Sequence, residues 1–459
     1  MKFPKDFIWG AATSSYQIEG APYLEGGGRS TWDMMCRQDG KIRDGDNGDV
    51  ACDHYHRYKQ DVALMSGLGI QAYRFSVSWP RVLPYGVSVL NKKGLDFYQH
   101  LVDELLEHNI SPWISLFHWD FPYELYCRGG WLNRDSADWF AEYTAIVVDA
   151  LSDRVSHWIT LNEPQCYIGL GHHQGIHAPG LKMGLSEVLL ASHHTLLAHG
   201  KSVQAIRAHT RSRAYISASQ ASRVSIPFSN QDADIAAARE HMFSVREKHF
   251  FNNTWFADPM ILGQYPKDAV ELFAGDMPEI LAGDLDTIQQ PLDYFGTNIY
   301  YGQTVRADGL SGVEEVSGED LALTAMDWPI TPEALYWGPR FFHERYRLPI
   351  VITENGMANE DVLENGQVHD QPRIDFLHQY LEQYAHAIAD GIPCLGYFLW
   401  SIMDNFEWAE GYSKRFGLVH VDYATQQRTP KDSACWYQRV IARNSLPNAA
   451  PCQQSVAFR

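Results

Sequence analysis

The chain has 459 residues, of which 45% are apolar and 20% are charged. This composition is typical of a globular protein with a large core and excludes an intrinsically disordered chain. Lys and Arg number 37 against 56 Asp and Glu, which gives a formal net charge of −19. Because the acidic residues are spread along the chain, nucleic acid is a poor partner and a neutral ligand is favoured.

The spacing of the cysteines and the composition of the N-terminal segment bear on the cellular compartment of the protein. The seven cysteines are scattered and form no C-x-x-C pair, which argues against a disulfide framework or a zinc site and for reducing surroundings. Residues Met1 to Asp6 contain no apolar h-region, and no apolar run reaches the length of a membrane span. We therefore predict a cytoplasmic protein with no membrane contact.

Short runs rich in β-branched and aromatic residues recur along the chain and predict buried strands. In order, these runs are Phe7 to Ala12, Ala72 to Trp79, Pro112 to Trp119, His157 to Asn162, Ala214 to Ser219, Tyr294 to Tyr301, Ile350 to Glu354 and Cys394 to Ser401. Helical periodicity lies between them, as in Gly94 to His108, Ser136 to Leu151, Leu185 to Ala208 and Arg373 to Asp390. Eight strand and helix units predict an α/β fold, a (β/α)₈ TIM barrel. A doubly wound sheet stays open as the alternative, because strand spacing does not show closure.

Two stretches are too long for ordinary connections. Ser222 to Asp293 and Gly302 to Pro329 are predicted to be long loops inserted at the carboxyl-terminal face of the barrel. Short repeats, low-complexity tracts and linker-like segments do not divide the sequence. We therefore predict one catalytic domain over residues 1–459.

Two glutamates follow predicted strands and enter turns. Glu163 lies in Thr-Leu-Asn-Glu-Pro and Glu354 in Ile-Thr-Glu-Asn-Gly. The carboxyl ends of barrel strands build the active site of this fold, so both carboxyl groups are expected at the mouth, partly desolvated. Position alone leaves open that both are exposed turn residues. Glycosidic bond cleavage requires a carboxyl pair of this kind.

Seven motifs follow one another along the chain. They are Phe7 to Gly20, Tyr73 to Arg81, Phe117 to Asp120, Thr160 to Pro164, Asn298 to Tyr301, Ile352 to Gly356 and Trp400 to Trp408. In sequence and order, the chain resembles the β-glucosidases of glycoside hydrolase family 1 over nearly its whole length. The resemblance implies a (β/α)₈ fold and hydrolysis of terminal, non-reducing β-D-glucosyl residues by double displacement.

The same resemblance implies roles for the residues of the barrel mouth. Glu163 is expected to be the acid/base and Glu354 the nucleophile, with Arg74, Asn298 and Tyr300 close to Glu354. A guanidinium within about 4 to 6 Å of a carboxylate favours its charged form. Arg74 would therefore keep Glu354 ionised while Glu163 stays protonated.

A sugar site is also implied by the resemblance. Its expected residues are Gln17, His118, Trp119, Asn162, Trp400, Glu407 and Trp408, followed toward the leaving group by Trp328, Tyr167, His177 and Phe416. An ionised Glu407 is expected to accept two sugar hydroxyls and to repel a 6-phosphate. For Trp328, packing against Trp337 or Tyr336 is the alternative.

Neutral β-glucosides such as cellobiose or aryl glucosides are the expected substrates, with no metal and no cofactor. Glucose, fucose or galactose preference stays open, as do 6-phosphoglycosides and the oligomeric state, for which a homo-oligomer is one alternative. His54 and His56 suggest a metal-dependent hydrolase, but the pair begins a predicted helix instead of ending a strand. A non-catalytic sugar-binding barrel is the alternative from another class of protein, and the presence of both glutamates argues against it.

Overall fold

Eight parallel strands enclose the centre of the molecule. The computed structural model describes residues 2–309, 312–318 and 320–447, so Cys452 and the end of the predicted domain lie outside the described residues. The strands are β1 Ile8–Ala12, β2 Ala72–Ser76, β3 Ser111–Ser115, β4 His157–Asn162, β5 Tyr215–Ala221, β6 Phe295–Asn298, β7 Ile350–Asn355 and β8 Cys394–Trp400. Each strand pairs with its neighbours in the chain, and β1 pairs with β8, which closes the barrel. Closure confirms the (β/α)₈ prediction and removes the doubly wound alternative.

The interior of the barrel has its own apolar cluster. Trp113, Tyr294, Phe398 and Trp400 pack there, between the strands and apart from the larger core that the strands share with the helices. Alternate residues of a strand share a face, so Ala72, in this cluster, and Arg74 point in the same direction from β2. Aromatic rings thus fill the barrel, and polar side chains of the same strands converge near its carboxyl-terminal end.

Helices follow the strands and cover the outside of the barrel. The α-helices are Ser15–Ile18, Thr31–Met35, His54–Gly67, Trp79–Val82, Lys92–Glu107, Tyr123–Tyr126, Ser136–Leu151, Leu185–His209, Asp232–Phe243, Thr254–Leu262, Lys267–Phe273, Asp284–Ile288, Ala334–Tyr346, Gln371–Ala389 and Asp432–Arg443. A π-helix spans Gln165–Gln174, and short 3₁₀ turns span Leu24–Gly26, Arg43–Gly45, Gly130–Leu132, Ala274–Asp276 and Trp408–Glu410. In the described ranges, none of the helices has the length and apolar character needed to cross a membrane.

Some predicted elements begin or end at different residues in the structure. The predicted strand from Ala72 to Trp79 ends at Ser76, because Trp79–Val82 forms a helical turn with Pro80 near its start. Helix Ser136–Leu151 begins and ends where the periodicity predicts. Element type is therefore well predicted, and the ends shift where a turn competes with the strand.

The two inserted stretches contain regular structure. Strands Val224–Pro227, Gly302–Asp308 and Gly312–Glu315 form one three-stranded sheet, so the two stretches are joined to each other. Two further hairpins pair Leu363–Glu364 with Gln367–Val368 and Val419–Val421 with Arg428–Pro430. The sheet of the inserted stretches follows β5 and β6 directly and therefore lies at the mouth of the barrel.

A buried ionic network links the segments that follow β7 and β8. The Lys431 ammonium lies 2.6 Å from Asp361 and 2.6 Å from Asp404. Arg373 contacts Asp361 and Asp370, and Arg415 contacts Asp404. Three carboxylates thus face three cations, so the network holds little net charge in a region that excludes water. Asp404 begins the segment that carries Glu407 and Trp408, which makes this network a support of the barrel mouth.

We expect Lys431→Met to lower the free energy of unfolding by about 3–5 kcal/mol, because removing one partner leaves buried carboxylates without compensation. Denaturant titration measures the change. Lys92→Met is the matched control: Lys92 is exposed at the start of a helix, and the control should change stability by less than about 0.5 kcal/mol. Equal losses in the two variants would contradict a stabilising role for the network.

Candidate active site

A cavity of about 490 Å³ opens at the carboxyl ends of the strands. Most of the side chains expected at the site line it, together with three of the four expected entrance residues: His118, Trp119, Glu163, His177, Asn298, Tyr300, Trp328, Glu354, Trp400, Glu407, Trp408 and Phe416. Arg74 and Asn162 lie behind this wall and contact Glu354 and His118 through hydrogen bonds, and Gln17 donates to the carbonyl of Phe406, the neighbour of Glu407. Residues that are far apart in the sequence thus meet in one place.

Glu354 lies at the end of β7 and accepts two strong hydrogen bonds. Arg74 Nη1 donates to Oε1 at 2.5 Å, and the Tyr300 hydroxyl donates to Oε2 at 2.8 Å. The Arg74 and Glu354 side chains are 0% and 4% exposed, so the ion pair is shielded from water. Both contacts hold the carboxyl group of Glu354 in one orientation.

Arg74 is itself held by three strands. Nη2 donates to Asn162 Oδ1 at 2.6 Å, Nη1 also donates to the Thr353 carbonyl, and Nε donates to Ser115 Oγ. Asn298 Nδ2 donates to the same oxygen of Asn162 at 3.0 Å. Since Asn162 Oδ1 accepts twice, the orientation of its amide is fixed.

Glu163 follows β4 and differs from Glu354 in its surroundings. It is buried, its backbone N–H donates to the Ser219 carbonyl, and its φ of 48° lies in the left-handed region. Cys166 Sγ lies 3.5 Å from its Oε2. Burial, and then the negative charge of Glu354, raise the pKa of Glu163 to about 8. Glu163 is therefore mostly protonated at neutral pH.

The protonation of His118 follows from its neighbours. Asn162 Nδ2 lies 3.2 Å from His118 Nε2, and because this nitrogen of Asn162 can only donate, Nε2 must accept. Burial and the charge of Arg74 lower the pKa of His118 well below its usual value. The neutral ring then carries its proton on Nδ1, which has no hydrogen-bond partner among the described residues. His118 thus offers one N–H group to a ligand in the cavity.

Gln17 and Glu407 form the other side of the polar wall. Gln17 Nε2 donates to the Phe406 carbonyl at 2.8 Å and to Asn405 Oδ1, which fixes the amide beside the segment that follows β8. Burial, with the charges of Glu354 and Glu163, raises the pKa of Glu407 to about 8. The raised pKa favours the neutral form of Glu407 over the expected carboxylate, so the ionised Glu407 and its repulsion of a 6-phosphate stay predictions.

Aromatic rings complete the wall. Trp408 lies between Trp119, at 4.5 Å between ring centroids, and Trp32, at 4.5 Å. Trp400, at the end of β8, stacks on His118 with a centroid distance of 5.7 Å. Flat apolar faces therefore border a space whose other sides carry hydrogen-bonding groups, an arrangement that suits a sugar ring.

The entrance residues divide into two groups. Trp328 packs against Tyr300, Tyr301 and Phe416 and lines the cavity, so the alternative of packing on Trp337 or Tyr336 is wrong. Tyr167 was expected at the entrance, and this expectation is also wrong. Its ring is buried against Phe117 and Trp131, because the π-helix after Pro164 turns the side chain away from the cavity.

Several residues of the cavity wall were not found from the sequence. Cys166 lies on the π-helix, and Arg223, Phe251 and Gln303 belong to the inserted stretches or their sheet. Periodicity marks these stretches as insertions without indicating which side of the mouth they cover. Cys166 lies three residues after Glu163, and this spacing is the only feature of the sequence that could have indicated it.

Among residues 2–309, 312–318 and 320–447, no group of three or more His, Cys, Asp or Glu side chains has the geometry of a metal site. The reactive groups are the two carboxyl groups, one buried with a raised pKa and one bound by Arg74 and Tyr300. A closed barrel with such a pair beside a sugar-sized polar pocket defines a glycoside hydrolase.

Comparison with known proteins gives the family. The model of Glycosyl hydrolase family 1 matches residues 1–446. The 1,4-beta-D-glucan glucohydrolase of Thermotoga neapolitana is 47% identical over 453 residues, covering 97% of this chain and 99% of the relative. The bifunctional beta-D-glucosidase/beta-D-fucosidase of Bifidobacterium breve is 41% identical, covering 97% and 99%. The structure of beta-glucosidase from Thermotoga maritima in complex with glucoimidazole superposes with a TM-score of 0.89 at 45% identity, covering 97% and 100%. The chain belongs to glycosyl hydrolase family 1.

We expect Glu354→Gln to lower the pKa of Glu163, because the variant removes the negative charge that helps to raise it. A pH titration of side-chain ¹³C resonances measures this pKa, with the Glu163 signal assigned by its loss in Glu163→Gln. Glu410→Gln is the matched control: it removes a carboxylate of the same cavity that is not among the main causes that shift the pKa of Glu163. An unchanged or higher pKa in Glu354→Gln would contradict the coupling.

Proposed function

We propose that the protein is a retaining β-glucosidase in which Glu354 is the nucleophile and Glu163 the acid/base. The observation that carries the proposal is the different state of the two carboxyl groups in one cavity. Glu163 is buried with a pKa raised to about 8, whereas Glu354 accepts hydrogen bonds from Arg74 and Tyr300. A mechanism by double displacement needs one group of each kind.

In the first step, Glu354 attacks the anomeric carbon and the bond from that carbon to the leaving-group oxygen breaks. Glu163 donates its proton to this oxygen, so the leaving group departs as a neutral alcohol. Arg74 and Tyr300 hold the attacking carboxylate in one orientation, and Asn162 holds Arg74. A covalent glycosyl ester on Glu354 and an ionised Glu163 result.

In the second step, water replaces the leaving group. The ester has no charge, so one of the causes that raise the pKa of Glu163 is lost, and the ionised Glu163 accepts a proton from the attacking water. The ester bond breaks, and Glu354 regains its charge beside Arg74. Two inversions at the anomeric carbon give a β-configured product from a β-glycoside.

We assign the recognition of the non-reducing sugar to the polar groups of the wall. His118 Nδ1 and Glu407 Oε2 are buried without a protein partner among the described residues, and sugar hydroxyls would complete their hydrogen bonds. Gln17, Asn162 and Asn298 add amide groups in fixed orientations, and Trp400 and Trp408 pack on the ring. The relatives' names, 1,4-beta-D-glucan glucohydrolase and beta-glucosidase, support β-glucosides as substrates, and we extend this to neutral ones such as cellobiose and aryl glucosides.

We expect Glu163→Ala to lose about 10²- to 10⁴-fold in kcat/KM for cellobiose, where the leaving group needs a proton, and far less for a dinitrophenyl β-glucoside. Glu354→Ala should lose activity on both substrates because no covalent step remains. Steady-state kinetics on the two substrates measure the difference. Glu360→Ala, an exposed carboxyl group after β7, should change neither. Equal losses on both substrates in Glu163→Ala would contradict its role as the acid.

The first sugar released from a nitrophenyl β-glucoside should be the β-anomer, because attack by Glu354 and then by water inverts the centre twice. Proton NMR during the first minutes of hydrolysis, before mutarotation, identifies the anomer. Release of the α-anomer would show single inversion and would remove Glu354 as nucleophile.

A further inference from the structure

The active-site cavity does not end at the sugar pocket. A second cavity of about 290 Å³ lies beside it, and Arg223, Val224, Phe251 and Gln303 line both. The two cavities therefore meet along a shared wall in which Arg223 carries a formal positive charge. This wall belongs to the inserted stretches.

The position of this wall around the barrel indicates which part of a substrate meets it. Gln17 and Glu407 follow β1 and β8, which are neighbours in the ring, whereas β4 and β5 lie on the opposite side. Glu163 ends β4, and in the proposed mechanism it protonates the leaving-group oxygen. Arg223 lies two residues after β5, so it faces the leaving group and not the sugar.

The backbone of Arg223 is held in place. Asn253 Oδ1 accepts from the Arg223 N–H at 3.0 Å, and Asn253 Nδ2 donates to the Arg223 carbonyl at 2.7 Å. The preceding Ser222 N–H donates to the Asn298 carbonyl. The base of the side chain is therefore tied both to the inserted stretch and to β6 of the catalytic site.

The guanidinium of Arg223 has unused capacity for hydrogen bonds. Nη1 donates to the Phe251 carbonyl at 3.3 Å and lies 3.5 Å from His249 Nε2. In the described part of the chain, neither Nε nor Nη2 has an acceptor, and no carboxylate lies within ion-pair distance of this arginine. By contrast, Arg246 in the side cavity is paired with Glu240 at 3.1 Å. Arg223 is thus an exposed cation on the cavity wall whose backbone is held by Asn253 and whose Nε and Nη2 have no protein acceptor among the described residues.

The carboxyl groups of the active-site cavity do not cancel this charge. Burial raises the pKa values of Glu163 and Glu407 to about 8, so both are mostly neutral at pH 7. Glu354 is paired with Arg74, and Glu410 with Arg43 at 3.0 Å. Among the described residues that line this cavity, Arg223 is therefore a cation without a carboxylate partner.

We propose that Arg223 forms a subsite for a carboxylate on the leaving group, so that the enzyme favours aryl β-glucosides whose aromatic ring carries a carboxylate. The inference rests on the proposed β-glucosidase function and adds a class of leaving group to it. Trp328 and Phe251 provide apolar contacts for the ring, and the planar edge of Arg223 matches a carboxylate in a bidentate geometry.

The test compares two substrates of nearly equal shape, 4-carboxyphenyl and 4-carbamoylphenyl β-D-glucoside. The ratio of their kcat/KM values cancels effects on folding and on the chemistry at Glu163 and Glu354. We expect Arg223→Gln to lower this ratio about five- to tenfold, mainly through KM, as for the loss of a charged hydrogen bond. Arg223→Lys should recover part of the ratio, and added salt should lower it in the wild type.

Arg246→Gln is the matched control, because it removes a cation of the side cavity that already has a carboxylate partner. It should leave the ratio unchanged. An unchanged ratio in Arg223→Gln, or an equal fall in both variants, would overturn the subsite. If the wild-type enzyme fails to hydrolyse the carbamoyl compound, the proposed function itself fails, which is a different outcome.

Discussion

The ion pair between Arg74 and Glu354 is the interaction on which the site depends. Removing two charges from water is costly, and a buried pair is tolerated only when its remaining hydrogen bonds are satisfied. Here Ser115, Thr353 and Asn162 accept from the guanidinium, and Tyr300 donates to the carboxylate. Burial, and then the negative charge of Glu354, raise the pKa values of Glu163 and Glu407 to about 8. In the proposed mechanism, the contact with Arg74 thus distinguishes the nucleophile Glu354 from the acid/base Glu163.

The geometry of this ion pair depends on the packing of the residues around it. Arg74 reaches Glu354 across the interior of the barrel from β2 to β7, and the rings of Trp113 and Phe398 fill the space beneath. On the outside of β7 and β8, the network of Asp361, Asp404 and Lys431 fixes the segment that leads to Glu407. Closure of the sheet therefore sets the distance between the charged groups, and the buried network sets the position of the segment that carries Glu407 and Trp408.

The sequence predicts the barrel well because each strand is a short β-branched and aromatic run, and parallel strands buried on both faces need such runs. It also identifies the mouth residues, since Glu163 and Glu354 each follow a strand. It does not predict the charge of Glu407, which depends on burial and on carboxyl groups that are distant in the sequence. The sequence does not predict the position of Arg223 for a related reason. Its neighbours belong to an inserted stretch, and the pattern of apolar residues does not show which part of the barrel mouth an insertion covers.

Three residues of the cavity wall have strained backbone conformations. Trp119, Glu163 and Trp408 have φ values of 83°, 48° and 49°, a region that bulky residues avoid and that costs about 1–3 kcal/mol each. Each is held by hydrogen bonds: Trp119 Nε1 donates to the Asn162 carbonyl, the Glu163 N–H to Ser219, and the Gly411 N–H to the Trp408 carbonyl. Glycine would relieve the strain at any of the three positions but would remove the ring or carboxyl group that the cavity uses. The strained conformations therefore belong to three side chains that line the cavity, and the closed barrel supplies the stability that offsets the strain.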